Sequence, residues 1–198
     1  MEKNIDISNL TIIILTGGKS KRMGSDKSQL RFYESNFIRT VIDHSEKISN
    51  KIIVVCSKKN KDLFIDLKET VVVDETAGQG PMMGIITGLK NANTDWSLIL
   101  SVDTPFFTSD MMQKLWDKKA NYVGAIFKDK AGIHPLNALY KTSTLKDWEK
   151  GYKTGDMKLK SVLKKLDINY IEVTGLENET LRNINNREEY NKFITKDK

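Results

Sequence analysis

Strand-length apolar runs alternate with helix-length segments along the chain. That alternation predicts an α/β fold: one domain spanning residues 1–198, with a mostly parallel, twisted sheet and helices on both faces. Two further observations support it. The apolar runs are continuous and β-branched, as in Thr11–Leu15, the pattern of strands buried on both faces. Three of them, ending at Leu15, Asp74 and Asp103, run into loops rich in glycine, charge or proline, and such sheets gather ligands at the carboxyl ends of their strands.

The elements follow in order. Thr11–Leu15 reads as the first strand, and Phe37, Ile38, Val41, Ile42 and Ile48 give a helical stripe over Ser35–Ile48. Ile52–Val55 is a second strand, Asp62–Leu67 a short helix, and Val71–Val73 a third strand ending at Asp74. Met82–Asn93 is helical, with Gly84 and Gly88 four apart on one face, which predicts close packing. Trp96–Val102 is a strand ending at Asp103-Thr104-Pro105, and Ser109 caps a helix to Lys119. Tyr122–Phe127 and Leu136–Tyr140 read as strands, Leu145–Tyr152 and Leu159–Leu166 as helices. Ile168–Val173 is the last strand, and Arg187–Ile194 the last helix.

Composition narrows the function. The 198 residues are 39% hydrophobic and 29% charged, enough for a packed core and too apolar for a disordered chain. One cysteine, Cys56, excludes an internal disulfide and a four-cysteine zinc site, and reads as a packed thiol. No apolar run approaches the ~20 residues of a membrane span, and Glu2 and Asp6 do not fit a basic leader, so a cytoplasmic protein is expected. The net charge of +6 favours an anionic partner. Lysines crowd between Lys141 and Lys165, either as a solvated helical face or as a rim over an anion site; charge alone does not choose.

The loop after the first strand is the most informative segment: Leu15-Thr16-Gly17-Gly18-Lys19-Ser20-Lys21-Arg22-Met23-Gly24-Ser25-Asp26-Lys27. Glycines let the backbone approach a ligand, and successive amides with Lys19, Lys21, Arg22 and Lys27 make an anion cradle. A Walker loop would need glycine at position 13, which is Ile13. A dinucleotide loop would need a residue between Gly17 and Gly18. Both readings fail, and a third kind of phosphate loop remains.

That loop resembles the signature of nucleotidyltransferases, and is most similar to the molybdenum cofactor guanylyltransferase family. Asp74 with Gly80-Pro81-Met82-Met83-Gly84, Ser101-Val102-Asp103-Thr104-Pro105, His134-Pro135 and Asn183-Ile184-Asn185 resemble the family's later segments, in order over nearly the whole chain. The resemblance implies a Rossmann-like nucleotidyltransferase fold. It implies transfer of the GMP part of GTP to molybdopterin, with Mg²⁺ as cofactor. It implies GTP and molybdopterin as substrates and transient contact with cofactor-assembly or acceptor proteins, with neither nucleic acid nor membrane as partner.

In such a reaction, catalysis is mainly positioning and charge neutralisation. Asp103, on a strand end before Pro105, suits a rigid carboxylate that holds Mg²⁺. Lys27 and Arg22 would offset phosphate charge, Arg22 through its planar fork. The resemblance carries nucleotide contact to Leu15, Thr16, Gly17, Gly18, Lys27, Asp74 and Asp103. It carries pterin contact to Lys158, Asn183 and Asn185. Ordinary turn-forming roles would also account for Asp74, Asn183 and Asn185. Lys158 stands where the family has arginine and Thr16 where it has alanine, and an asparagine after the second strand has no clean match near Val55–Ser57. Other readings stay open: a nucleotidyltransferase for another acceptor, a non-catalytic GTP-binding regulator, or a basic nucleic-acid-binding domain, although the sequence carries no recognised nucleic-acid motif.

Overall fold

β1 (Leu10–Leu15) is buried at every position, and the rest of the chain is laid out around it. The structure is a computed structural model describing residues 7–17, 26–74, 76 and 80–194. After β1 come a short hairpin, β2 (Arg31–Phe32) and β3 (Ser35–Asn36), then α1 (Phe37–Glu46), β4 (Ile52–Ser57) and β5 (Thr70–Asp74). There follow α2 (Pro81–Asn91), β6 (Trp96–Ser101), α3 (Ser109–Lys118), β7 (Gly124–Asp129) and β8 (Gly132–Lys141). The chain continues with α4 (Leu145–Lys153), α5 (Leu159–Leu163), β9 (Ile168–Glu172), α6 (Leu176–Thr180) and α7 (Arg187–Ile194).

One sheet has the order β5-β4-β1-β6-β8-β7-β9. Only β8 runs against the others, antiparallel to both β6 and β7. The remaining pairings in it are parallel. From β1 the chain steps outward to β4 and β5, then returns to lay β6 on the other side of β1. Strand order therefore reverses at the β1–β6 junction, where ligands bind in open α/β sheets.

Alternation along β1 feeds two cores. Ile12 and Ile14 pack with Phe37, Ile38, Val41 and Ile42 of α1 and with Met111, Met112 and Leu115 of α3. Ile13 and Leu15 pack with Met82, Ile85, Ile86 and Leu89 of α2, Trp148 of α4 and Val162 of α5. The glycine face of α2 is as expected: a Cβ on Gly84 would lie 3.3 Å from Leu15 Cδ2, and one on Gly88 would collide with Ile13. No helix among the described residues is long and apolar enough to cross a membrane.

Several expectations need correction. Thr108, in extended conformation, is the cap position of α3, and Ser109 is already helical. Asp62–Leu67 is not an α-helix; a 3₁₀ turn covers Lys61–Phe64. The strand expected at Leu136–Tyr140 starts earlier, at Gly132, because it pairs with β7 through a tight hairpin. The helix expected over Ser35–Ile48 starts at Phe37, because Ser35–Asn36 pair as β3 and Asn36 caps the helix; β2 and α6 lay outside the expected elements.

Candidate active site

The site is built where β1 and β6 end side by side, Leu15 in register with Ser101. The Val102 amide donates to the Leu15 carbonyl at 3.1 Å, so the ladder continues one residue past the strand. A turn closed by the Thr104 amide on the Ser101 carbonyl, 3.2 Å, then projects Asp103 beyond the sheet. Asp103 Oδ1 accepts the Ser101 hydroxyl at 2.6 Å.

Lys27 approaches from the other side. Asp26 accepts the Ser28 amide and hydroxyl through Oδ1, at 3.0 and 2.6 Å, and caps the turn Lys27–Gln29. Lys27 is only 9% exposed, yet it carries an ammonium 3.7 Å from Asp103 Oδ2. Burial lowers its pKa from the ordinary value of 10.5; the charges of Asp103 and Glu189 raise it back in part. Among the described residues its ion-pair partner is the Asp103 carboxylate, and at 3.7 Å that pairing is loose, an arrangement that could take a phosphate.

A third segment closes the site. The Ile184 amide donates to the Asp103 carbonyl at 3.0 Å, which brings Asn183-Ile184-Asn185 against the strand end. Ile184 is fully buried, and both asparagines face outward around it. Glu189 accepts the Asn185 amide at 2.6 Å, and Asn186 accepts the Glu189 amide at 2.8 Å, so the start of α7 is fixed by a capping-box arrangement. Tyr190 of α7 donates its hydroxyl to the Arg31 carbonyl at 2.8 Å, fastening this end of the chain to β2.

The other expected residues are placed as follows. The Leu15 side chain packs on α2, and the Thr16 amide and hydroxyl both donate to the Val55 carbonyl at 3.0 Å. Gly17 is exposed, and a Cβ there would meet no described atom within 4 Å. Gly18 and Arg22 lie outside the described residues. Asp74 ends β5 and accepts the Thr76 amide and hydroxyl through Oδ1, the turn-forming role. Gly80 precedes α2 at φ 82°, a conformation open to glycine, with Pro81 opening the helix. Lys158 is exposed before α5, its amide on Asp156 Oδ1 at 3.2 Å. The lysines from 146 to 165 are exposed on and around α4 and α5, with Trp148, Val162 and Leu163 turned inward, as on a solvated amphipathic face.

Two asparagines were missed. Asn60 donates to Asp26 Oδ2 at 2.9 Å and accepts the Ser57 amide and hydroxyl, tying the Lys27 turn to the end of β4. Asn137 of β8, 3% exposed, accepts the Ser101 amide and the Thr104 hydroxyl. Sequence offers only one signal for them, amides in or beside apolar strands. His134 pairs with Asp129 at 2.9 Å across the β7–β8 hairpin. Burial would raise the Asp129 pKa, but hydrogen bonds from His134 and the Gly132 and Ala131 amides outweigh it and hold the carboxyl below its ordinary 3.8.

For a divalent ion, Asp103 is the suitable donor. No group of three His, Cys, Asp or Glu side chains among the described residues could hold one alone. A single carboxylate fits Mg²⁺, which keeps several waters and completes its shell with substrate phosphates.

Residues 12–169 match the model of the MobA-like NTP transferase domain. A probable molybdenum cofactor guanylyltransferase of Flavobacterium johnsoniae is 30% identical over 93% of this chain and 96% of its own length. One of Clostridium perfringens is 31% identical over 92% and 95%. The crystal structure of molybdopterin-guanine dinucleotide biosynthesis protein A from Archaeoglobus fulgidus shares the fold, with a TM-score of 0.80 at 22% identity, covering 95% of this chain and 100% of that one. The sheet reversal, the Lys27–Asp103 pair and this family match agree: the chain belongs to the MobA-like NTP transferase family.

Proposed function

We propose that the protein is a Mg²⁺-dependent molybdenum cofactor guanylyltransferase, joining GMP from GTP to the terminal phosphate of molybdopterin. A phosphate oxygen of molybdopterin attacks the α-phosphorus of GTP. The bond to the β-phosphate bridging oxygen breaks, and pyrophosphate leaves with the electron pair. The attacking oxygen is already ionised, so the step needs no general base. When bound, Mg²⁺ neutralises phosphate charge and orients the triphosphate.

The chain's own residues do the rest. Lys27, itself buried, offers its ammonium to the phosphates from surroundings where charge interactions are stronger than in bulk water. Asp103, held by Ser101, would hold the metal. Gly17, Gly18 and Arg22 are assigned to the phosphates, while Leu15 and Thr16 set where β1 ends. Asp74 stands for the nucleoside side, and Asn183, Asn185 and Lys158 for the pterin. The observation that carries this reading is the convergence of Lys27, Asp103 and the 183–185 segment at the β1–β6 junction. The names of the relatives support the guanylyl donor and the pterin acceptor.

The test is pyrophosphate release from GTP with Mg²⁺ and molybdopterin. Release is expected with GTP and not with CTP or ATP. Equal turnover of CTP or ATP would overturn the guanylyl assignment, and release with a sugar phosphate in place of molybdopterin would overturn the acceptor.

A further inference from the structure

We infer that Asn137 is a positioning residue for the metal-binding carboxylate, setting through Ser101 the direction in which Asp103 presents its oxygens; this rests on the role proposed for Asp103. Asparagine fits poorly in a buried strand, and a buried amide is costly unless paired. Asn137 nevertheless sits in β8 at 3% exposure, among Ala138, Leu139 and Tyr140. Its use lies one residue beyond the ladder. The β6–β8 register ends with Leu100 opposite Asn137, and the side chain then reaches the Ser101 amide, 3.3 Å to Oδ1. The Thr104 hydroxyl reaches the same oxygen at 2.8 Å. An N–H and an O–H reach this oxygen, the single Thr104 proton being shared with the Ser101 carbonyl at 2.9 Å, and the Ser101 amide fixes which end of the Asn137 amide faces the strand.

Ser101 and Thr104 bracket Asp103. By holding both, Asn137 fixes the backbone of the turn. The Ser101 hydroxyl then fixes the carboxylate itself, since its 2.6 Å bond to Oδ1 leaves Oδ2 on the side of Lys27. A metal ligand whose rotation is set in advance loses less freedom when the ion arrives. A purely structural amide would affect the melting temperature and leave metal affinity alone, so the two roles separate in a binding experiment.

The experiment is Mn²⁺ binding, followed by electron paramagnetic resonance, in the presence of a non-hydrolysable GTP analogue. Asn137→Leu removes two bonds to neutral groups and acts on the carboxylate through Ser101. It should weaken Mn²⁺ binding about tenfold, the scale of loosening the one hydrogen bond from Ser101 to the charged Asp103. Binding of the analogue without metal should change less than about twofold on the same scale. Ser101→Ala should match that loss, and Ser101→Thr, which keeps the hydroxyl, should restore the wild-type affinity. If Asn137→Leu does not fold, Thr104→Val, which removes the hydroxyl bond to Asn137 Oδ1, takes its place and should weaken Mn²⁺ binding in the same direction; unchanged affinity in it overturns the inference. Unchanged Mn²⁺ affinity in folded Asn137→Leu or in Ser101→Ala overturns the inference while leaving the proposed reaction standing. Asp103→Ala is the control: if it binds Mn²⁺ like wild type, the metal role of Asp103 falls and the inference falls with it.

Discussion

Asp26 Oδ2 accepts a hydrogen bond from Asn60 Nδ2 at 2.9 Å, and through it the turn carrying Lys27 is fastened to the end of β4. A bond to a charged group is worth about 1.5–3 kcal/mol. Asn60→Ala should lower stability by about that much. With the turn loosened, the KM for GTP should rise about tenfold or more, with a smaller change in kcat. Thermal melts and steady-state kinetics check this. A lower melting temperature with unchanged KM would show that Asn60 supports the fold alone.

Lys27 places function against stability. Its folded pKa lies below the 10.5 of the free side chain, so the charged form is disfavoured by folding. The sign follows: the cost is present at neutral pH and is relieved as pH rises from the lowered folded value towards 10.5. Lys27→Met should therefore cut kcat about 10²–10³-fold without lowering the melting temperature. Relative to the variant, the wild type should gain stability over that alkaline window. A variant that melts well below wild type would mean that the Asp103 pairing outweighs the burial cost.

Among the described residues, Gly17 meets no packing neighbour, and its backbone is not left-handed. The proposed function gives that space to the triphosphate. Gly17→Ala should leave the melting temperature within about a degree or two, since it fills no packed site. GTP affinity, read by calorimetry, should fall about tenfold or more, because phosphate contact needs close backbone approach. Equal affinity in wild type and variant would put the triphosphate elsewhere.

The Asp129–His134 pair predicts acid behaviour. The Asp129 pKa is held below 3.8 in the folded chain, so its contribution is complete above 3.8 and is lost as pH falls through the folded value. Asp129→Asn should be less stable than wild type at neutral pH, and the difference should shrink on acidification through that window. Urea unfolding at a series of pH values measures it. A difference that stays constant with pH would count against the carboxylate's charge as the source.

The sheet was readable because its strands are buried on both faces, so β1, β4 and β6 appear as unbroken apolar runs. Gly84 and Gly88 were readable for a related reason, since helix spacing alone puts them on one face. Strand order in space was not: β4, α2 and their neighbours separate β1 from β6 in sequence, and only packing makes them adjacent. The reversed direction of β8 was hidden too, because the hairpin at Lys130-Ala131 lacks the Asn-Gly type of turn that announces one. Within the site, Lys27, Asp103 and the 183–185 segment were legible as motifs. Asn60 and Asn137 were not, because each acts on a residue more than thirty positions away.

The bond from Tyr190 to Arg31 spans 159 residues, and the Ile184 amide rests on Asp103. A nascent chain emerging from the ribosome can thus complete every strand of the sheet, through Glu172, before the segment that packs against Asp103 has been made. That side of the candidate site is assembled from the late part of the chain, on a scaffold already laid down.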